Sequence, residues 1–327
     1  MEKKKINYGI IGGGHIGKYH IQQSCNIDTI NVVGVFDTNS TVCKQVANQY
    51  NVQAFSSMEQ LLTKCDAISV VTPAYSHYKI AKQALNMGCH VFIEKPITTN
   101  IQDANDLINR AAQKNLLIQV GHIERFNPAL TEFTKKNTFH KPQFIETHRL
   151  APFNIRGTDT DVILDLMIHD IDLILYLANS TIKNVTASGV SVLSNSLDLV
   201  NARISFNNGC VANLTASRIS EQPLRKLRVF EKNKYLSFDL QNNTYSEYLV
   251  INNLKIKKPK NIIFEQDQKS VILHKNIGQP KNALYEELLS FVNSITKSQR
   301  IMVSATDGKN ALEIALLIQK QVNATNK

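Results

Sequence analysis

The stretch Ile6-Asn-Tyr-Gly-Ile-Ile11, followed directly by Gly12-Gly-Gly14-His-Ile-Gly17, decides the fold of the first part of this chain. Its apolar residues predict a short buried strand, the glycines fit the pattern G-x-G-x-x-G, and residues 18–25 have the composition of a helix. A second apolar run at residues 32–36 ends in Asp37, twenty residues beyond Gly17. A strand, a glycine turn, a helix and a second strand at this spacing predict a dinucleotide-binding unit.

The three glycines that fit the G-x-G-x-x-G pattern each have a physical reason to be glycine. Gly12 allows the tight turn, Gly14 lets the backbone approach a pyrophosphate, and Gly17 lets the helix pack closely on the strand. The N–H groups at the start of the helix then point toward the phosphates. A glycine-rich turn without a ligand is the alternative, which the spacing and the context disfavour. The cofactor contacts predicted in this turn are Gly12, Gly14, His15, Ile16 and Gly17.

Asp37 indicates which dinucleotide is bound. Its carboxylate can accept hydrogen bonds from the adenosine ribose hydroxyls, and it repels a 2′-phosphate. Thr38 and Asn39 follow it, without an Arg or Lys to neutralise such a phosphate. The predicted cofactor is therefore NAD in preference to NADP, with Asp37 as one of its contacts.

The alternation of strands and helices continues as far as residue 122 and predicts a doubly wound parallel sheet. Further strands are predicted at residues 52–55, 66–71, 90–93 and 116–120, with helices at 58–63, 76–88 and 103–115. Ligands of such sheets lie beyond the carboxyl ends of the strands. The nicotinamide contacts predicted there, with one residue from the following helix, are Thr72, Pro73, His77, Glu94, Lys95 and His122.

Lys95 is the most informative residue of that group. It stands between a buried strand and Pro96, which restricts its freedom to turn toward solvent. Its ammonium can bind a substrate hydroxyl, lower the pKa of that hydroxyl and pass on its own proton.

The second half of the chain contains an apolar helix that carries titratable groups. In residues 161–177 apolar side chains face nearly every direction, which is typical of a helix buried in a large protein. At about 100° per residue, Asp165, His169 and Asp172 share one narrow stripe, and Asp161 joins it if the helix begins that early. Buried charges must be paired or open onto a cavity. The alternative is a satisfied polar seam, a row of buried polar groups that pair with partners inside the protein. Three aligned groups favour a functional site instead.

The remainder of the second half predicts a largely antiparallel open sheet. Apolar and polar residues alternate at residues 185–192, 199–206, 210–217, 227–230 and 235–240. One face of such a sheet is buried, and the other is available for packing of subunits into a homodimer or homotetramer. Helices are predicted at residues 282–297 and from residue 304 or 307 to 323.

The predicted fold class is therefore α/β. A Rossmann domain at residues 1–122 binds the cofactor, and an α+β domain at residues 123–327 binds the substrate and forms the oligomer. The last helix of the second domain can pack back on the first.

Composition excludes several classes of protein. The net charge of +10 suggests nucleic-acid binding, but the lysines cluster at residues 3–5 and 255–260 without an aromatic-interleaved basic stripe. The five scattered cysteines, none in a C-x-x-C spacing, argue against structural zinc or disulfides and for a reducing compartment. The first residues do not fit a signal peptide, and no apolar run reaches the length of a membrane span. We expect a cytoplasmic protein without a metal site that binds neither nucleic acid nor membrane.

Four motifs carry a family resemblance that extends over essentially the whole chain. They are Gly12-x-Gly14-x-x-Gly17, Glu94-Lys95-Pro96, Asp165-x-x-x-His169-x-x-Asp172 and Val303-Ser-Ala-Thr-Asp307-Gly308. With them the chain resembles the glucose-fructose oxidoreductase / inositol dehydrogenase (Gfo/Idh/MocA) family of NAD(P)-dependent oxidoreductases. In that family the lysine of E-K-P and the Asp and His of the second-domain helix surround the reacting carbon of the substrate, and the Lys–Pro peptide bond is often cis. The resemblance implies Lys95, Asp165 and His169 as the catalytic set.

A closer resemblance rests on Gly121-His-Ile-Glu-Arg-Phe-Asn-Pro128 together with Asp165-Leu-Met-Ile-His-Asp-Ile-Asp172. These segments are similar to the branch of the family that contains UDP-N-acetylglucosamine 3-dehydrogenases, whose product leads to lipid A. That branch implies substrate contacts for Arg125, Asn127 and Arg156, in addition to Lys95, Asp165 and His169. Structural ion pairing is the alternative for each arginine.

The resulting hypothesis is oxidation of a secondary sugar hydroxyl, at C3 of a UDP-N-acetylhexosamine, with NAD+ as the hydride acceptor. His169 takes the hydroxyl proton, Asp165 orients the imidazole and Lys95 stabilises the developing alkoxide, although Lys95 and His169 both remain candidates for the base. The alternatives are a dehydrogenase of a free sugar, inositol or other polyol, a keto-sugar reductase, and a non-catalytic NAD-binding regulator. Retention of the three residues argues against the regulator.

Overall fold

The computed structural model describes residues 5–154, 160–252, 261–266 and 269–325 of the chain. It divides into two compact units. Unit 1 consists of Met1–Ile123 and Lys281–Glu313, and unit 2 of Glu124–Pro280 and Ile314–Lys327. Among the described residues, each unit has a sheet and buried apolar side chains of its own.

Unit 1 is built on a six-stranded sheet. Its strands are β1 (Ile6–Ile11), β2 (Ile30–Phe36), β3 (Gln53–Phe55), β4 (Ala67–Val70), β5 (His90–Glu94) and β6 (Ile118–Gly121). They are all parallel and lie in the order β3-β2-β1-β4-β5-β6. The direction of winding reverses between β1 and β4, and ligands of such sheets bind beyond the carboxyl ends of the strands at that point.

Helices follow each of the first five strands of unit 1. They are α1 (His15–Cys25), α2 (Ser40–Tyr50), α3 (Met58–Leu62), α4 (Ala74–Asn86) and α5 (Ile101–Lys114). Asn39 and Asn100 begin α2 and α5, because their side chains accept hydrogen bonds from N–H groups of the first turn. Asn51 and Asn115, with φ angles of 53° and 54°, end the same two helices.

Nine strands of the described residues form the sheet of unit 2. They are β7 (Phe144–Leu150), β8 (Ile182–Val190), β9 (Leu199–Phe206), β10 (Val211–Ser217), β11 (Leu224–Glu231), β12 (Lys234–Asp239), β13 (Thr244–Asn252), β14 (Ile262–Gln266) and β15 (Lys269–Ile277). Their order is β14-β15-β13-β12-β11-β7-β10-β9-β8, with β7 and β10 parallel and the other neighbours antiparallel. Alternate residues of β9 and β10 are buried, so one face of the sheet lies on the core.

Helical segments lie at two places beside these strands in the chain, before β7 and between β7 and β8. A 3-10 turn (Ile123–Phe126) leads into α6 (Pro128–Lys136), which Asn127 caps. Between β7 and β8, a π-helical turn (Ile163–Met167) continues into α7 (Ile168–Ala178). Nearly all of α7 is buried, as its apolar sequence predicts.

Two helices close the chain, α8 (Ala283–Lys297) and α9 (Ala305–Thr325). α8 belongs to unit 1, where the ring of Phe291 lies edge-on to Tyr8 and Phe92 at centroid distances of 6.5 and 6.0 Å. α9 begins in unit 1, and its residues from Ile314 onward belong to unit 2. In the part of the chain that the structure describes, no helix combines the length and the apolar character that crossing a bilayer requires.

The predicted fold class is confirmed, with a parallel Rossmann sheet followed by a mostly antiparallel sheet. The alternation of apolar residues does not identify β13, β14 and β15, and two helices also differ from the prediction. The sequence pattern misses α2, because its few buried residues stand among polar ones. The helix predicted at residues 161–177 begins as a π-helical turn, which apolar periodicity at 100° per residue does not indicate. Arg156 and the lysines at residues 255–260 lie outside the described residues.

Candidate active site

The glycine turn between β1 and α1 has the backbone that its sequence predicts. Gly12 has a φ angle of 109°, and a Cβ there would lie 2.5 Å from the carbonyl oxygen of Val71. A Cβ on Gly17 would collide with the carbonyl oxygen of Gly12. Around Gly14, by contrast, a Cβ would meet no atom within 4 Å. The turn is therefore closed against the sheet at Gly12 and Gly17 and open at Gly14.

Helix α1 offers its first-turn N–H groups to a ligand. Gly14 occupies the N-cap position, no side chain caps the helix, and the first turn contains no acidic residue. His15 and Ile16 are exposed on that turn. A helix N-terminus of this kind attracts anions. The pyrophosphate of a dinucleotide fits this turn, with backbone amides as donors.

Asp37 follows β2 directly and is held against the glycine turn. Its Oδ2 accepts a hydrogen bond from the N–H of Gly13 at 2.7 Å, and its Oδ1 accepts one from the N–H of Asn39 at 2.8 Å. These bonds fix the carboxylate beside the turn, on the strand end where this fold binds an adenosine ribose. The residues of the turn and Asp37 together fit a nicotinamide dinucleotide.

The side chain of His77 in α4 joins the carboxyl ends of β4 and β5. It is buried, with Nε2 2.7 Å from the carbonyl oxygen of Thr72 and Nδ1 2.8 Å from that of Pro96. Burial lowers the pKa of His77, while the two carbonyl contacts and the nearby Glu94 oppose that change. Thr72, Pro73 and His77 therefore lie together, but both ring nitrogens of His77 have partners within the protein. Its direct contact with a cofactor stays a prediction.

Glu94 is the last residue of β5, Lys95 and Pro96 follow it, and the Lys95–Pro96 peptide bond is cis, as the family resemblance implies. Oε2 of Glu94 accepts a hydrogen bond from the N–H of Lys95 at 3.2 Å. His122 comes directly after β6, where its side chain is fully buried. The carboxyl ends of β4, β5 and β6 thus carry the residues that the alternation of strands and helices predicts.

In unit 2, the residues of the predicted stripe occupy different environments. Asp161 begins the π-helical turn, because its Oδ1 accepts hydrogen bonds from the first N–H groups of that turn. Asp165 lies within the turn and His169 in the first turn of α7, and both are half-buried. Asp172 is buried and makes a bidentate ion pair with Arg125, with N–O distances of 2.6 and 2.7 Å. Asp172 therefore fits the alternative of a satisfied polar seam, because Arg125 neutralises its buried charge.

The three predicted substrate contacts outside this helix have different positions. Arg125 is buried, and its guanidinium also lies 4.7 Å from the ring centroid of Tyr176. Asn127 is buried as well, and its Nδ2 donates to the carbonyl oxygen of Leu240 at 2.7 Å. Arg156 is not among the described residues. Direct contact of these three residues with a substrate stays a prediction.

A second buried group of ion pairs in unit 2 is missed by the sequence analysis. Arg149 of β7 donates to Asp170 of α7 and to Glu124, with N–O distances of 2.8 Å. Burial alone would lower the pKa of Arg149, but the two carboxylates raise it above its ordinary value. The sequence feature that could indicate these ion pairs is the presence of charged residues in largely apolar segments. Which of them pair has no local signature, because the partners are 21 and 25 residues apart in the chain.

Both parts of the chain match models of one protein family. Residues 6–122 match the model described as "Oxidoreductase family, NAD-binding Rossmann fold". Residues 137–235 match the model described as "GFO/IDH/MocA C-terminal domain". The two matches agree with the order of the two sheets along the chain.

The chain is also similar to individual proteins along its whole length. The UDP-N-acetylglucosamine 3-dehydrogenase of Acidithiobacillus ferrooxidans is 37% identical over 316 residues, which is 97% of each chain. A solved structure of that dehydrogenase has a TM-score of 0.88 at 34% identity and covers 98% of each chain. The myo-inositol 2-dehydrogenase of Thermotoga maritima is 23% identical over 97% of this chain and 96% of the relative. The structure of an apo scyllo-inositol dehydrogenase from Lactobacillus casei shares the fold, with a TM-score of 0.79. It is 22% identical, and the match covers 99% of this chain and 98% of its own.

Proposed function

The chain belongs to the Gfo/Idh/MocA family of NAD-binding oxidoreductases, and from this premise we propose that it oxidises the C3 hydroxyl of a UDP-N-acetylhexosamine. The observation that supports this substrate is the similarity to the Acidithiobacillus dehydrogenase, which extends over nearly the whole of both chains. The substrate domain is included in that similarity, and it is the part of such an enzyme that distinguishes one sugar from another.

The proposed catalytic set is Lys95, Asp165 and His169. A bound nicotinamide ring supplies the acceptor for the hydride that leaves the carbinol carbon. The ammonium of Lys95 donates a hydrogen bond to the substrate oxygen and stabilises the negative charge that develops there. His169 takes the hydroxyl proton, and Asp165 orients the imidazole for that transfer.

The proposed cofactor is NAD in preference to NADP. The carboxylate of Asp37, held by two backbone N–H groups, supports this choice, because it repels a 2′-phosphate and accepts hydrogen bonds from ribose hydroxyls. The proposed cofactor contacts are those expected from the sequence: Gly12, Gly14, His15, Ile16, Gly17, Asp37, Thr72, Pro73, His77, Glu94, Lys95 and His122.

A substrate panel tests the proposed reaction. The purified full-length chain is mixed with NAD+ and with UDP-N-acetylglucosamine, UDP-N-acetylgalactosamine, N-acetylglucosamine or myo-inositol, and NADH formation is followed by absorbance. We expect kcat/KM for a UDP-N-acetylhexosamine to exceed that for either free compound by about a hundredfold or more, since the diphosphate adds charged contacts. Equal or faster turnover of a free polyol would replace the proposal with the polyol dehydrogenase that the Thermotoga relative favours.

Variants test the proposed catalytic set. Lys95→Met and His169→Asn are expected to lower kcat by roughly 10²–10⁴-fold, because each removes a group that handles the reacting proton or its charge. Binding of NADH, measured by its fluorescence, should persist in both. Lys79→Met and His140→Asn, at exposed positions, serve as matched controls. Turnover close to that of the wild type in either Lys95→Met or His169→Asn would contradict the assignment.

The proposed setting of the enzyme follows from the same premise. We propose a role in supplying the 3-keto nucleotide sugar for lipid A, in a reducing cytoplasmic compartment that the five unpaired cysteines favour. We also propose a homodimer or homotetramer formed through the open face of the nine-stranded sheet. The partly exposed alternate residues of β9 and β10 support that surface. Light scattering of the purified chain measures the assembly.

A further inference from the structure

A chain of buried hydrogen bonds in unit 1 ends on the carboxylate of Glu94. The hydroxyl of Tyr8 lies 2.7 Å from Oγ of Ser69, and that oxygen lies 2.9 Å from Nδ1 of His20. Nε2 of His20 then lies 3.1 Å from Oε1 of Glu94. Tyr8, Ser69 and His20 are fully buried, on β1, β4 and α1. None of these three is among the proposed cofactor or substrate contacts.

The chemistry of the four groups gives this chain a direction. An ionised carboxylate only accepts hydrogen bonds, so Nε2 of His20 is the donor to Glu94. When this imidazole is neutral its other nitrogen accepts, and Nδ1 then takes the hydroxyl hydrogen of Ser69. The oxygen of Ser69 accepts from Tyr8, because burial raises the pKa of Tyr8 and keeps its phenol protonated. Each hydrogen is donated toward the anion, an arrangement in which successive hydrogen bonds strengthen one another.

The other side of Glu94 faces the turn that carries Lys95. The N–H of Lys95 donates to Oε2, and β6 approaches at Gly121, where a Cβ would lie 2.9 Å from Oε1. The titratable or charged groups around the carboxylate are His20 from α1, Lys95 after β5 and His77 from α4. Burial raises the pKa of Glu94, but the hydrogen bond from His20 and the nearby positive charge lower it below its ordinary value. The carboxylate is thus confined by β6 on one side and held by donors on both oxygens.

We propose that His20 is a positioning residue: through its Nε2–H it keeps the Glu94 carboxylate ionised and in place beside Lys95. A fixed anion at this point attracts the ammonium of Lys95 and limits the directions that the long side chain can take. The consequence for turnover rests on the proposed role of Lys95. The effect on the ionisation of Glu94 does not depend on the substrate.

Two amide substitutions test the two ring nitrogens of His20 individually. In His20→Gln the amide nitrogen can replace Nε2 as donor to Glu94, and in His20→Asn the shorter amide can replace only Nδ1, opposite Ser69. Infrared spectra of the full chain without ligands are recorded against pH. The carbonyl band of protonated Glu94 is identified by its absence in Glu94→Gln.

We expect this band to titrate roughly one to two pH units higher in His20→Asn than in the wild type, because a hydrogen bond to the charged form is lost. In His20→Gln it should titrate close to the wild type. An unchanged titration in His20→Asn, or an equal shift in both variants, would overturn the proposal. If His20→Asn does not fold, Ser69→Ala gives a second test. There the band of Glu94 should shift in the same direction by a smaller amount, because Nδ1 of His20 loses its donor. An unshifted band in Ser69→Ala would contradict the proposal.

Turnover supplies the second readout. The acid limb of the kcat profile in His20→Asn should contain an additional ionisation at the pH where the infrared band of Glu94 titrates, with the plateau at high pH retained. His140→Asn, at an exposed histidine, is the matched control. An equal loss of kcat at every pH would indicate only a general structural effect and contradict positioning through ionisation. If the wild type does not oxidise nucleotide sugars, the proposed function fails, while the infrared titration still decides the role of His20.

Discussion

At the scale of single residues, Asp37 combines two tasks. The observed task is within the protein, since its carboxylate accepts hydrogen bonds from the N–H groups of Gly13 and Asn39. The proposed task is to accept hydrogen bonds from the ribose of the cofactor. We expect Asp37→Ala to raise KM for NAD+ by about 10- to 100-fold, since hydrogen bonds to a charged group contribute roughly 1.5–3 kcal/mol. The KM for NADP+ should fall or stay constant, because the repulsion of the 2′-phosphate is removed.

Steady-state kinetics with both cofactors measure this change. Asp28→Ala, at an exposed position outside the turn, is the matched control. A variant that keeps the wild-type ratio of the two KM values would show that Asp37 serves only the backbone of the turn.

Asp198 gives a prediction about pH and stability. Its Oδ2 accepts three hydrogen bonds from backbone N–H groups, and Arg218 donates to its Oδ1 at 2.9 Å. Burial alone would raise the pKa of Asp198, but these bonds, with one from the hydroxyl of Ser194, hold it well below its usual range. A carboxyl with a lowered folded-state pKa stabilises the protein above its unfolded pKa of about 3.9, and this stability is lost as the pH falls below that value.

Asp198→Asn is therefore expected to lower the melting temperature at pH 7, and the difference from the wild type should shrink as the pH falls below about 4. Thermal unfolding of both proteins at several pH values measures it. Asp28→Asn controls for the loss of a carboxylate without such bonds. A difference that stays constant down to the lowest pH would contradict the assigned role.

The position of a residue at a turn or a strand end can be predicted from the sequence, whereas its contacts with distant partners cannot. Gly12 lies in the predicted turn, and Asp37 and Lys95 directly follow β2 and β5, two predicted strands. His20 has no such signal, because its partners Ser69 and Glu94 are 49 and 74 residues away. A histidine on the buried side of a helix is an ordinary sequence feature until these partners are known.

At the scale of secondary-structure elements, the Arg125–Asp172 pair joins the 3-10 turn to α7. Both side chains are almost fully buried, so the loss of one leaves an uncompensated charge. We expect Asp172→Leu to lower the free energy of unfolding by about 3–5 kcal/mol, and the double variant Arg125→Met/Asp172→Leu to recover most of that loss. Urea unfolding of both single variants and the double variant measures the coupling.

The same double variant tests whether Arg125 contacts the substrate. If Arg125 only stabilises the fold, the double variant should keep the wild-type KM for the nucleotide sugar. A KM raised tenfold or more, which corresponds to about 1.4 kcal/mol, in a variant with restored stability would support the direct contact that the sequence predicts. Losses of stability that simply add in the double variant would contradict the ion-pair account.

Elements differ in how well the sequence predicts them. α7 is apolar on nearly every side and α8 has a long apolar stripe, so the existence of both helices follows from the pattern. α2 has short buried segments and depends on capping by Asn39 and on packing. The π-helical turn at Ile163–Met167 has no sequence signature, although turns of this kind are frequent at functional sites and this one carries Asp165.

At the scale of the whole molecule, the order of elements is predictable and the order of strands in the second sheet is not. Alternating strands and helices with right-handed connections leave few arrangements for unit 1. In unit 2, β7 pairs in parallel with β10 and in antiparallel fashion with β11, although the helix α7 and two strands separate it from β10 in the chain. Alternation of apolar residues identifies each strand and its buried face, but it does not identify the neighbours.

The identity of the oxidised carbon is the central claim about the molecule, and isotope transfer tests it most directly. UDP-N-acetylglucosamine carrying deuterium only at C3 is incubated with the full-length chain and NAD+, and the NADH formed is analysed by mass spectrometry. Hydride abstraction from C3 predicts NADH that is heavier by one mass unit, with the label on the nicotinamide ring. Unlabelled NADH would place the oxidation at another carbon, and no NADH at all would contradict the proposed activity.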